Sequence, residues 1–300
     1  MNVYSVINSR VGLGLAMGLG RTLPSSLGYR LAHLIADRIA SRRNLSIVKA
    51  VRANQWVISG GTLSSEQLNR TVQEVFRHTA HSIYTLYHYL NNRSAFEAMV
   101  KFSPSVVDLI EQSRQGKEAM IVVGIHMSNF DLVARAGFQC GLRALAISFP
   151  NPGGGYRWQN KIRREAGWEV IPASMTAIRR AAQHLSEGKV VITGIDRPIS
   201  NSKYRPRFFG RPAALPVHHI HLALLTKVPV KVVAAIQQSD GTYHILSSES
   251  ILMQSHTDRR IEIVRNAEAV LEIAAGFIRQ APHQWAMFYP VWSEALDEMP

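Results

Sequence analysis

One cysteine, Cys140, in 300 residues cannot close an internal disulfide. That excludes a disulfide-stapled secreted scaffold and suggests a reducing compartment, with Cys140 itself reading as a small apolar residue on a helix. Long apolar runs are also missing. The run at residues 11–20, VGLGLAMGLG, lies between Arg10 and Arg21 and is half the length of the roughly 20 residues needed to span a bilayer. No A-x-A-like cleavage site follows it, and its glycines weaken a helix. No Pro/Gly/Ser linker, low-complexity tract or internal repeat divides the chain, and acidic residues are scarce.

That scarcity, 21 Asp and Glu against 34 Lys and Arg, gives a net charge of +13 that is unevenly placed. Residues 1–50 hold seven basic residues and one acidic, and residues 151–211 hold twelve and four, whereas the last fifty hold four and seven. Two positive blocks suit anionic partners such as phospholipid headgroups, phosphates or nucleic acid; a basic, merely soluble surface is the plainer reading.

The first third reads as helices. After Pro24-Ser25-Ser26, Leu27, Leu31, Leu34, Ile35 and Ile39 share one face and Arg30, Arg38 and Arg42 lie elsewhere. The pattern fits a helix in a membrane interface and equally one packing on a core. A second helix is expected over residues 45–57, ended by Gly60-Gly61. Ser64 with Gln67 makes a capping box for a long third, with its apolar stripe running from Leu68 to Leu90.

From residue 119 the pattern alternates. Strands are expected at 119–123, 143–148, 168–171, 190–195, 230–236 and 243–246, and helices from Ser128 and over 156–166, 175–186, 217–225 and 261–278. Such alternation implies an α/β fold with a mostly parallel central sheet flanked by helices, preceded by the helical N-terminal region. The expected division is a helical, basic membrane-association region at 1–110 and an α/β core at 111–300, forming one continuous structural unit.

The first of those strands ends at Gly124-Ile125-His126. The crevice beyond the carboxyl ends of parallel strands is where ligands bind in open α/β sheets, so His126 is a candidate general base. Asp131, five residues on, is in reach as its orienting acid. Ser128 and Asp131 also stand in a helix-capping relation, and Asp131 can serve that alone.

His126-Met-Ser-Asn-Phe-Asp131 resembles the H-x4-D signature of the glycerolipid acyltransferase superfamily. NKIRREAG at 160–167, GKVVITGIDRP at 188–198, RFFGRPAALP at 207–216 and HQWAMFYPVW at 283–292 resemble successive blocks of the lipid A late acyltransferases and the related phosphatidylinositol mannoside acyltransferases. The resemblance covers roughly residues 115–293 and implies transfer of a fatty acyl group from acyl-CoA or acyl carrier protein to a hydroxyl of a membrane glycolipid or phospholipid. It implies His126 as base and Asp131 as the group that fixes its tautomer, with no acyl-enzyme, no bound cofactor and no metal. It also implies a place on the cytoplasmic face of the plasma (inner) membrane, peripheral or anchored by the N-terminus.

The central basic block then offers phosphate ligands: Arg164 first, in the block resembling R-x-x-G, followed by Arg197, Arg211 and Arg157. Arg157, Lys161, Arg163 and Arg164 can equally be a solvated helix face. Asp196 is expected to bind an acceptor hydroxyl or to pair with Arg197, and Phe208-Phe209-Gly210 to shape the sheet edge and acyl groove. Two departures stand out. The superfamily's E-G-T-R appears only as Gly194-Ile195-Asp196-Arg197, and His218-His219-Ile220-His221 replaces small residues and an arginine. That cluster invites a metal, against which no carboxylate or cysteine lies near in sequence. Competing readings are an acyltransferase-like lipid- or membrane-binding protein without catalysis, and nucleic-acid binding, for which no recognition motif appears.

Overall fold

The computed structural model describes residues 20–116, 118–150, 154–165, 167–200 and 202–300, with Gly14 and Gly18. Apart from Gly14, Gly18 and Gly20, the apolar run at 11–20 lies outside the described residues, and with it the question of an N-terminal anchor.

Three helices come first: α1 (Ser25–Ala40), α2 (Ser46–Ile58) and α3 (Ser65–Tyr89). The capping box forms as expected, with Ser64 and Gln67 each accepting from the other's backbone N–H. Ile47, Val48 and Val51 of α2 pack with Val72, Val75 and Phe76 of α3. Helix α2 also sends Ala53 and Val57 into the core of the sheet region, so the helical and α/β regions share packing. On α1, Leu27, Leu34 and Ile35 stay exposed, as do Arg30 and Arg38 and, just past its end, Arg42.

Next come α4 (Arg93–Met99), β1 (Val100–Phe102) and α5 (Pro104–Gln115), none of them expected from the sequence. A strand of three residues is too short to show a period. Helix α5 carried a readable signal, Pro104 in the first turn and Gly116 in the left-handed conformation (φ 62°) at its end.

The α/β alternation follows: β2 (Met120–Gly124), α6 (Phe130–Gln139), β3 (Ala144–Ser148), α7 (Gly154–Glu165), β4 (Glu169–Pro172), α8 (Met175–Ser186) and β5 (Val190–Gly194). A small hairpin, β6 (Arg207–Phe208) and β7 (Arg211–Pro212), precedes α9 (His218–Thr226), β8 (Val230–Gln237), β9 (Tyr243–Ser247) and α10 (Arg259–Gln280). Seven strands form one sheet in the order β1-β9-β8-β2-β5-β3-β4, and every neighbouring pair is parallel except β8 with β9. Consecutive strand residues alternate between its faces. Ile121, Leu145, Val191 and Val232 pack with Leu185, Leu222, Ile263 and Leu271 of α8, α9 and α10. Met120, Val122, Val190 and Ile245 pack with Leu109 and Ile110 of α5 and Leu132 and Phe138 of α6. Among the described residues, no helix is long and apolar enough to cross a membrane.

Candidate active site

Strands β2 and β5 lie side by side with Gly124 opposite Gly194. Two residues beyond each glycine stand His126 and Asp196, so the parallel register itself brings them together across 70 positions of sequence. The His126 Nδ1 lies 2.7 Å from Asp196 Oδ1, and the His126 backbone N–H donates to Asp196 Oδ2 at 2.8 Å. The Trp285 indole Nε1 donates to the same Oδ2 at 2.8 Å. Gly194 leaves room beside the imidazole, since a Cβ there would touch His126 Cε1 at 3.5 Å.

The loop that carries His126 is clamped from the other side. Ala286 N–H donates to the His126 carbonyl at 2.8 Å and Ser128 N–H to the Gln284 carbonyl at 2.8 Å. These bonds hold Ser128 at φ 52°, a left-handed conformation uncommon outside glycine. Ser128 therefore does not open the following helix: Asn129 caps α6, accepting from Leu132 N–H and donating to the Ser82 carbonyl.

Asp196 is fully buried. Burial alone would raise its carboxyl, but the His126 ring and backbone and the Trp285 indole outweigh that and hold it below the usual carboxylate range. A buried carboxylate on Nδ1 fixes the neutral imidazole with its proton on Nδ1 and its lone pair on Nε2.

Asp131 does not have the partner expected of it. Its Oδ1 is held by Arg163, with Nε at 2.8 Å and Nη2 at 2.7 Å, while the imidazole's carboxylate comes from Asp196. Asp131 sits on the first turn of α6, and the guanidinium of α7 meets it there. Asp196 likewise departs from its expected role, since its oxygens face His126 and Trp285.

A cavity of ≈ 380 Å³ opens beside His126. It runs between the sheet, at Val122, Ala146, Ile192 and Val233, and the helices α5 and α6, at Leu109, Ile110, Val133 and Gly137. Its lining also includes polar groups, among them His126, Asp131, Tyr156, Arg163 and Arg197. An apolar chamber of that size with a few convergent polar groups suits a small hydrophobic ligand.

Residues 7–294 match the family described as bacterial lipid A biosynthesis acyltransferase. The chain belongs to that family. Among curated proteins, none matches it. Membership makes the chain an acyltransferase of a membrane-associated family that takes an acyl donor and a lipid acceptor.

The acyltransferase signature blocks can now be placed. Of the four arginines expected at phosphates, only Arg197 lines the cavity. Its guanidinium lies 3.9 Å from the Phe149 ring and 4.2 Å from the Tyr289 ring and donates to the Tyr289 hydroxyl at 2.6 Å. Arg164 is exposed and donates to the Val170 carbonyl at 3.4 Å, while Arg157 is exposed and Arg211 is paired with Glu298. Helical phase separates Arg164 from its neighbour: Arg163 turns inward and Arg164 outward. Burial would lower the Arg163 guanidinium, but Asp131 and Tyr156 hold it above its ordinary range, so it stays charged. Arg163, Tyr156, Tyr289 and Trp285 were not expected site residues; the block resemblance at 160–167 and 283–292 was the signal that contained three of them.

The Phe208-Phe209-Gly210 block is not in the cavity wall. Phe208 is buried against Trp285 and Trp292 on the opposite side, and Phe209 and Gly210, both at positive φ, turn the β6–β7 hairpin. In the histidine cluster, His218 Nε2 bonds Thr193 Oγ1 at 2.8 Å, His219 is fully buried and His221 packs on Tyr204. Among the described residues, no three His, Cys, Asp or Glu gather where a metal could be held.

Proposed function

We propose that the protein transfers a fatty acyl group from a thioester, acyl-CoA or acyl carrier protein, to a hydroxyl of a membrane glycolipid or phospholipid. The observation that carries this reading is that His126, held by the buried Asp196, lines an apolar cavity. A hydroxyl is a poor nucleophile, and His126 Nε2 takes its proton as the oxygen attacks the thioester carbonyl. Asp196 stabilises the imidazolium, which then returns the proton to the departing thiolate as the C–S bond breaks. The thioester is already activated, so no serine or cysteine nucleophile enters. The acyl chain lies in the cavity, where each buried methylene contributes about 0.8 kcal/mol.

Arg197, fixed between two rings beside the dyad, provides the positive charge for a phosphate of donor or headgroup or for the oxyanion of the tetrahedral intermediate. The exposed Leu27, Leu34 and Ile35 of α1, with Arg30, Arg38 and Arg42, would lie on an anionic membrane surface, giving residues 1–110 the docking role and leaving the chain peripheral at the cytoplasmic face of the inner membrane.

The test is transfer from labelled palmitoyl-CoA, and in parallel palmitoyl carrier protein, into a total lipid extract presented in anionic vesicles. A labelled product is expected that falls about 10²- to 10⁴-fold in His126→Ala, the usual worth of a positioned base, and that diminishes as salt rises. Undiminished turnover in His126→Ala would sink the mechanism.

A further inference from the structure

Asp131 belongs to the H-x4-D signature, yet the imidazole already has a different carboxylate. What Asp131 holds is Arg163. Both side chains are largely buried, at 18% and 10% exposure, and two guanidinium nitrogens converge on one carboxylate oxygen. The remaining face of Arg163 is also engaged. Its Nη1 donates to Asn160 Oδ1 at 2.9 Å, and Asn160 Nδ2 in turn donates to Ser148 Oγ at the end of β3. The guanidinium lies 5.3 Å from the Tyr156 ring and 5.8 Å from that of Trp168, which stacks on Phe138 of α6 at 4.6 Å. One guanidinium thus ties together α6, α7, the end of β3 and the segment entering β4.

Helix α7 is strongly polar. Its sequence, GGYRWQNKIRRE, contains four basic residues and only three apolar side chains larger than glycine. A helix with so few apolar residues has less to gain from apolar packing, so specific polar contacts weigh more in fixing its position. It nonetheless supplies Tyr156 and Arg163 to the cavity wall that His126 also lines.

We propose that Asp131 is a positioning residue: through Arg163 it holds α7 as the wall of the acyl cavity, and it does not act on His126. The inference rests on the acyl-transfer reading for its kinetic consequence and on the geometry alone for its structural one.

Asp131→Asn, Arg163→Gln, Arg163→Lys and the Asp131→Asn/Arg163→Gln double variant are compared with wild type and with Asp196→Asn. Each measurement is made on the full chain, with folding checked by thermal unfolding. Loss of the tether is expected to raise KM for palmitoyl donor about tenfold with a smaller fall in kcat. The double variant should match the worse single one, as members of one unit do. Arg163→Lys, which keeps the charge without the fork, should fall between. The pH profile of kcat should stay where it is in the Asp131 and Arg163 variants, while Asp196→Asn lowers kcat and moves that profile. Independently of activity, amides of residues 154–165 should exchange hydrogen faster in the tether variants. A fall in kcat with a shifted pH profile in Asp131→Asn alone, or unchanged exchange at 154–165, would overturn the proposal. If wild type transfers no acyl group to any lipid, the proposed reaction fails, and the exchange measurement still decides the tether.

Discussion

On one face of the sheet, Ile121, Leu145, Val191 and Val232 meet α8, α9 and α10 in a continuous core that takes in Trp285 and Trp292. On the other, Val122, Ala146, Ile192 and Val233 look onto a cavity of ≈ 380 Å³ beneath α5 and α6. The strands are equally apolar on both sides. Protein interiors normally close to crystal-like density, and a wall without atoms opposite it forfeits dispersion contacts. The hollow face therefore costs stability, which the filled face must offset. The division of labour is physical: the filled face fixes the strand register that joins His126 to Asp196, and the hollow face provides room for a chain beside them.

Two leucines sharpen the contrast. Leu145, fully buried on the filled face, and Leu142, at the cavity wall, lose the same atoms when changed to alanine. Leu145→Ala should fall in the upper part of the range of about 2–5 kcal/mol measured for buried leucines, and Leu142→Ala near its lower end, because Leu142 already lacks neighbours on one side. Urea unfolding of the pair measures this, and equal losses would show that the cavity side is packed after all.

Filling the hollow tests its use. Gly137 lies seven residues along α6 from Phe130, about 10 Å down the helix at ~1.5 Å per residue, and a Cβ there would meet Leu142 Cδ2 at 3.4 Å. Gly137→Leu should move donor preference toward shorter acyl chains, by about 0.8 kcal/mol, or roughly 4-fold, for each methylene it excludes. A chain-length series of acyl donors reads the shift, and an unchanged profile would place the acyl chain elsewhere.

The smallest expected effect lies in the cavity wall where α9 begins. His218 is half-buried and bonded to Thr193, and desolvation, reinforced by nearby His221, pushes its imidazole down to about 4. Because the folded pKa lies below the unfolded value of about 6.5, the unfolded chain binds more protons between those values, and stability falls as pH drops from 6.5 toward 4. From pH 6.5 to 5.5 His218 contributes a loss of about 1 kcal/mol, within the limit of about 1.4 kcal/mol per pH unit for one proton. Thermal unfolding of wild type and His218→Asn over that interval should show a shallower pH dependence in the variant.

Much of the architecture was legible in the chain. Apolar runs marked β2, β3, β5 and β8 to within a residue or two, and the Ser64–Gln67 box marked the start of α3. His126 was legible too, because a histidine just past a strand end has a recognisable address. Its partner was misread for a definite reason: nearness in sequence favoured Asp131, while strand register put Asp196 beside it. The placement of the arginines was hidden for a related reason. Arg163 and Arg164 are adjacent in sequence, but about 100° of helical rotation turns one into the cavity wall and the other to solvent.

The sequence by itself determined the alternation of strands and helices, the basic N-terminal layer and the position of the imidazole, because these depend on local periodicity and on residue type. Only the tertiary structure decided which carboxylate serves that imidazole, which arginines enter the cavity wall, and which face of the sheet stays open. Those depend on which strands become neighbours and on how helices rotate over them, and a one-dimensional pattern carries no record of either.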